Sequence, residues 1–153
     1  MSESIETNNP NYKEAVQEIF DRAPFILGLG LGLELKETGP GWCETELVLA
    51  PKHQQQDGYI HAGVLASMAD HTAGSAGTSL VHADEYVLSA DFNISFLRAA
   101  QGHRLHCRAE VLKAGRRLIV VESAIYAVNG QESQLVAKAR VTLAVLQRTP
   151  TPS

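Results

Sequence analysis

The stretch from His61 to Leu80, HAGVLASMADHTAGSAGTSL, limits the fold more than any other part of the chain. It is long, almost entirely small or apolar, and has no period of two. It reads as a buried helix, because it outruns any ordinary strand. Its alanines and glycines suit close approach to other backbone, at some cost in helix propensity. Such a helix must be covered on most sides, and the segments after it can do so. Leu88, Ala90, Phe92, Ile94 and Phe96 alternate with Ser89, Asp91, Asn93 and Ser95. Leu105, Cys107, Ala109 and Val111 alternate with polar residues, Arg117 to Val128 is rich in aliphatic and β-branched side chains, and Leu135 to Val145 alternates again. These are four strands, expected in a meander, with turn residues Gly102, Gly115 and Asn129-Gly130 between them.

Ahead of the helix, residues 1–9 are polar and expected to fray. Asn9-Pro10 opens a helix with Asn9 as cap and Pro10 at the first position. Tyr12, Ala15, Val16, Ile19 and Phe20 recur at helical spacing, and Pro24 ends the element. Leu31 to Thr38 and Trp42 to Leu49 read as strands around the turn Gly39-Pro40-Gly41. The expected architecture is α+β, a single antiparallel β-sheet wrapped around one long central α-helix. Its span is 25–148, preceded by a tail and short helix at 1–24 and followed by a disordered tail at 149–153.

The chain has 153 residues, one domain's worth, enough for a core without disulfides or metal. Thirteen Lys and Arg against seventeen Asp and Glu give a net charge of -4, which argues against nucleic acid as a partner. The longest apolar run, Phe25 to Leu33, is nine residues broken by glycines, far short of the roughly 20 that span a bilayer, so no membrane association is expected. MSESIETNNP lacks the pattern of a signal peptide, and Cys43 and Cys107 form neither a framework nor a ligand cluster. A reduced, cytoplasmic protein is the expectation. The charge is unevenly spread: residues 1–97 carry 4 basic and 14 acidic side chains, residues 98–153 carry 9 and 3. Either the two halves pair across a solvated sheet face, or some of the cations meet an anionic small molecule.

Asp70 stands among Val64, Leu65, Met68, Ala69 and Ala73, where a carboxylate is costly unless partnered or solvated. It is either tied to a neighbour such as His71 or a loop amide, or delivered to a cleft as base or nucleophile. The helix entrance, Gly58-Tyr-Ile-His61-Ala-Gly63, offers unpaired amides with the helix dipole behind them, suited to an oxyanion. By local pattern alone Gly63 is either an oxyanion donor or a packing glycine, and His61 either a site residue or a simple helix cap. His61 has no metal-ligand partners, since His103 and His106 have strand rather than zinc spacing. Gly63 and Asp70 are separated by about 10 Å of helix rise. A reacting carbon must lie about 3 Å from both nucleophile and oxyanion donor. If both act on one atom, they come from two copies of the helix, so the catalytic hypothesis requires a dimer.

The pattern Gly58-x-x-His61-x-Gly63, then Asp70, then Leu88-Ser89-Ala-Asp91-Phe-Asn93-Ile-Ser-Phe96-Leu97-Arg98 resembles the hotdog-fold acyl-CoA thioesterases, with its closest likeness to the phenylacetate-pathway (PaaI-like) branch. The likeness covers about residues 25–146. It implies Asp70 as nucleophile or general base, the Gly63 amide as polariser of the thioester carbonyl, and His61 near the thiol end. It implies Gln55 as the motif amide, flanked by Gln54 and Gln56, and Ser89 as support for the attacking water. Gln at 55 is commoner in the hydroxybenzoyl-CoA and enterobactin-proofreading relatives, whereas Asp at 70 is PaaI-like, so the chain mixes features. Ala62 replaces the first glycine of the common His-Gly-Gly, and Ala99 stands where proline often follows. Arg98, Arg116, Arg117 and Asn93 are the implied contacts to coenzyme A, which is part of the substrate rather than a cofactor. No other cofactor and no metal is implied, and a homodimer, paired into a homotetramer, is the expected assembly. A second class is a non-catalytic acyl-CoA or small-ligand binding module on the same fold. A hydratase lacks its usual signatures here.

Overall fold

The small, apolar stretch folds as predicted into a helix, Ala62–Thr78, in the computed structural model, which describes residues 4–28 and 31–150. In chain order the elements are α1 (Tyr12–Arg22), α2 (Pro24–Gly28), β1 (Leu33–Gly39), β2 (Trp42–Val48), a 3-10 turn (Pro51–His53), α3 (Ala62–Thr78), β3 (Glu85–Phe96), β4 (Arg104–Ala114), β5 (Leu118–Asn129) and β6 (Glu132–Gln147). Helix α3 packs against every strand. Its small residues permit this: a Cβ on Gly77 would fall 2.3 Å from Leu143 Cδ1. Polar side chains facing the sheet are satisfied there. The Thr45 and Thr72 hydroxyls are 2.8 Å apart, and Ser123 Oγ donates to the Ala69 carbonyl at 2.9 Å.

The core has two parts along α3. Leu65, Met68 and Ala69 meet Leu47, Leu105 and Ile125, while Ala73 and Ala76 meet Val121, Val141 and Leu143. Helix α1 adds Val16 and Phe20 to the second part. Burying each contributes about 1.5–3 kcal/mol, enough to hold an amphipathic helix that is marginal alone.

The six strands form one antiparallel sheet in the order β1-β2-β4-β5-β6-β3. Strands β4, β5 and β6 follow as a meander. β3 does not: it pairs with β6 across the far side and becomes an edge. The reason lies in the connections. Asn129-Gly130, with Gly130 at φ 63°, makes a tight hairpin, whereas residues 97–103 form a longer crossing whose start is docked by Leu97 N–H on the Val136 carbonyl.

The alternation expected along β3 also changes. Its register with β6 slips between Ser89 and Asp91, an inserted residue that reverses which side chains face the helix. Val87 and Ser89 face inward before the bulge, and Phe92 and Ile94 after it. Leu88 and Phe96, expected inside, are exposed.

Near the N-terminus, Thr7 to Asn9 are tied down rather than frayed. Thr7 Oγ1 donates to the Ser79 carbonyl, Asn8 N–H to the Leu80 carbonyl, and Asn9 Oδ1 accepts the Asn11 N–H. This turn moves the helix start from Pro10 to Tyr12. Pro24 ends α1 and also opens α2, a position that suits its fixed φ and missing N–H. Of the expected disordered tail, residues 151–153 lie outside the described residues, as do 29–30 of the run from Phe25 to Leu33 and residues 1–3.

Candidate active site

The loop before α3 is built on two side chains. His53 is buried, with Nδ1 accepting the Ala50 N–H at 3.0 Å and Nε2 within 2.8 Å of the Leu31 carbonyl. Because Nδ1 accepts, Nε2 carries the proton and donates. Gln55 closes the tip: Oε1 accepts the N–H groups of Asp57 (2.5 Å) and Tyr59 (3.2 Å). Its neighbours Gln54 and Gln56 are exposed, so Gln55 is the glutamine folded into the loop. Only its amide NH2 is left to offer a ligand.

The loop delivers His61 to the N-cap of α3, where Nδ1 accepts the Gly63 N–H at 2.8 Å. The histidine is thus a cap in this structure, and the amide expected to polarise a carbonyl already has an acceptor. One turn on, Ser67 Oγ donates back to the Gly63 carbonyl at 2.7 Å.

Asp70 is half-buried, and its partner is neither His71 nor a loop amide. Ser89 Oγ donates to Asp70 Oδ1 at 2.6 Å, from the last inward position before the β3 bulge. His71 instead packs edge-on to Phe20, ring centroids 4.6 Å apart, and its buried Nε2 has no hydrogen-bond partner. Burial lowers the pKa of His71 and the adjacent Asp70 charge offsets this only in part. The neutral imidazole is therefore favoured.

Asp70 and His71 together line two clefts. One, of ≈ 460 Å³, is walled by Ala23, Phe25, Ile26, Ala66, Ser67 and Phe92. The other, of ≈ 1050 Å³, runs between α1, α3 and β3. Its lining includes Glu14, Glu18 and Glu85 besides Asp70, against Arg22 and Arg148, so it is acidic on balance.

The remaining predicted residues are not brought together. Asn93 sits opposite Arg140 on the β3 face turned away from α3. Arg116 and Arg117 are exposed on the β4–β5 hairpin, where the Arg117 carbonyl accepts the Val145 N–H. Arg98 lies past the other end of β3, its N–H on the Val136 carbonyl, about 30 Å along the sheet from the Arg117 contact at the usual rise per residue. Part of the basic half pairs with acids as the solvated-face reading expects: Arg108 with Glu44 and Glu110, Lys138 with Glu122, and Arg104 with Glu46. Cys43 and Cys107 face the core, and burial pushes both thiols up to about 12, which keeps them protonated. Among the described residues no three His, Cys, Asp or Glu side chains are grouped to hold a metal, and no helix is long and apolar enough to cross a membrane.

Comparison with known proteins gives this arrangement a family. Residues 57–134 match the thioesterase superfamily. The chain is 33% identical to a thioesterase family protein from Silicibacter pomeroyi whose crystal structure it fits with a TM-score of 0.85, covering 90% of this chain and 99% of that one. A conserved protein of Pseudomonas aeruginosa is 31% identical, with a TM-score of 0.73 over 85% of this chain and 98% of that one. 1,4-Dihydroxy-2-naphthoyl-CoA hydrolase of Listeria monocytogenes is 26% identical over 77% of this chain and 94% of its own length. The chain belongs to the thioesterase superfamily and has its hotdog fold, a six-stranded antiparallel sheet packed with a helix. The family and relatives named thioesterase or hydrolase support thioester hydrolysis as the general chemistry.

Three features of the site escaped sequence reasoning. Ser67 follows Gly63 at helical spacing and precedes Asp70 by one turn, so its place on the cleft face was legible from its number. By sequence His71 reads only as a partner for Asp70. The apolar segment from Phe25 was expected to line the pocket, but its folding as a helix had no signal, because Pro24 reads as a stop rather than a start.

Proposed function

We propose that the protein hydrolyses an acyl-CoA thioester to free acid and coenzyme A, and that it stands nearest the PaaI-like branch. The observation that carries this reading is the Asp70 carboxylate, the one acid on α3, held by one hydroxyl and opening onto two clefts. Ser89 fixes one carboxylate oxygen. The carboxylate takes a proton from water, whose oxygen bonds to the acyl carbon, or it attacks that carbon itself to give an anhydride that water then opens. In either case the carbon–sulfur bond breaks and coenzyme A leaves as a thiolate, then gains a proton.

The Gly63 amide of a second copy supplies the donor for the carbonyl oxygen, since Gly63 and Asp70 of one continuous helix are about 10 Å apart along its axis. The incoming carbonyl displaces His61 Nδ1 from that amide, and the released imidazole and the Gln55 amide orient the thioester. The free edge of β3 suits pairing with a second copy, and a pair of such dimers forms the tetramer. Arg116 and Arg117 offer two guanidinium forks to the phosphates of coenzyme A, with Asn93 further along β3 and Arg98 beyond its end. The reaction takes place in the cytoplasm and needs no metal or resident cofactor.

The test is thiol release from benzoyl-, phenylacetyl- and octanoyl-CoA by the wild type, Asp70→Asn and Asp70→Ala. Both variants are expected to lose at least about a hundredfold in kcat with little change in KM. Near-normal turnover in both removes Asp70 from the chemistry. Tight binding by the wild type without thiol release would instead make the protein a binding module.

A further inference from the structure

The two clefts that meet at Asp70 differ in chemistry, and only the smaller one suits an apolar acyl group. In the smaller one Ser67 turns its hydroxyl back to the Gly63 carbonyl and the buried His71 Nε2 is out of solvent's reach. The walls therefore present carbon from Ala23, Phe25, Ile26, Ala66 and Phe92. The larger cleft carries four carboxylates and two arginines, a poor environment for an apolar chain. At ≈ 460 Å³ the smaller cleft is at the low end of the range for small-molecule sites.

One residue in it is out of place by packing rules. Phe25 is 61% exposed on the five-residue α2, while its neighbour Ile26 is buried at 6%. Ile26 anchors the short helix, and Phe25 leaves an aromatic ring uncovered at the rim of an apolar cleft. A ligand with an apolar end would cover that ring.

Resting on the reading of thioester hydrolysis above, we infer that the cleft between α2, Phe92 and Asp70 receives the acyl group, that this group is apolar and compact, and that Phe25 sets its length. Phe25 is then a specificity residue, acting on the part of the substrate remote from the reacting carbon.

The experiment compares wild type, Phe25→Ala and Phe25→Trp by kcat/KM on acetyl-, hexanoyl-, octanoyl-, dodecanoyl- and benzoyl-CoA. Because Phe25 is exposed, neither change empties the core, and circular dichroism checks the fold. The wild type is expected to prefer hexanoyl, octanoyl and benzoyl over dodecanoyl. Phe25→Ala is expected to raise the dodecanoyl-to-hexanoyl ratio by about tenfold, and Phe25→Trp to lower it by a similar factor. A ratio unchanged in both variants overturns the inference while leaving hydrolysis intact. The inert thioethers hexyl-CoA and dodecyl-CoA, titrated by calorimetry, give a readout independent of turnover. If no thioester is cleaved, the hydrolytic reading fails, and an altered or unaltered ratio of thioether affinities then supports or overturns the acyl cleft.

Discussion

Asp70 and His71 are adjacent in sequence but answer to different surroundings. Asp70 reaches a hydroxyl on β3 and two clefts, whereas His71 turns to the Phe20 ring of α1 with one nitrogen unpartnered. Burial makes protonation of His71 unfavourable, so its folded pKa lies below the ordinary 6.5. The unfolded chain then binds the proton more readily, and stability must fall as pH drops through about 6.5 toward the lowered folded value, levelling off beneath it. Thermal melts between pH 8 and pH 5 should show that slope, and His71→Phe, which keeps a ring against Phe20, should reduce it. An equal slope in the variant would assign the pH dependence to groups other than His71. That Asp70 was a site candidate was legible from its apolar neighbours. The family likeness implied Ser89 as support for the attacking water; that its hydroxyl binds Asp70 was not legible, since the bulge after Ser89 depends on pairing with β6.

Among the elements, α3 shows most directly how small residues are used. Gly77 lies against Leu143 with no room for a Cβ, whereas Gly74 faces open space. Gly77→Val is expected to destabilise by about 2–3 kcal/mol through overpacking against a buried leucine. Gly74→Ala should stabilise by about 0.5–1 kcal/mol, because alanine has less conformational freedom to lose and favours helix. Chemical denaturation of both variants checks the pair, and equal effects would mean that α3 does not press on β6 as described. Strand β3 is the opposite case. Its alternation predicted a strand correctly, but its partner and its inward face were set by the crossing at 97–103 and by the bulge.

At the scale of the whole molecule the question is what one copy lacks. If Asp70 of one chain works with the Gly63 amide of another, two dead variants should rescue each other. Gly63→Pro removes that N–H within the first turn of a helix, where proline is tolerated, and Asp70→Ala removes the carboxylate. Each alone is expected to be inactive. Mixed and reassorted, they should recover about a quarter of wild-type activity, because half the dimers are mixed and one of their two equivalent sites is intact. No recovery after verified subunit exchange would place both groups in one chain's site, against the helix geometry.

The local pattern of residues was sufficient for the buried helix, the strands, the Asn129-Gly130 hairpin and the misplaced carboxylate. Periodicity, turn chemistry and the cost of an isolated charge all act over a few neighbours, so each can be read from a short window. The place of β3 beside β6, the inward turn of Ser89, the cap of His61 on Gly63 and the meeting of two unlike clefts at Asp70 were decided only in three dimensions. They depend on which distant segments share hydrogen bonds and surface, and a bulge of one residue is enough to exchange the faces of a strand.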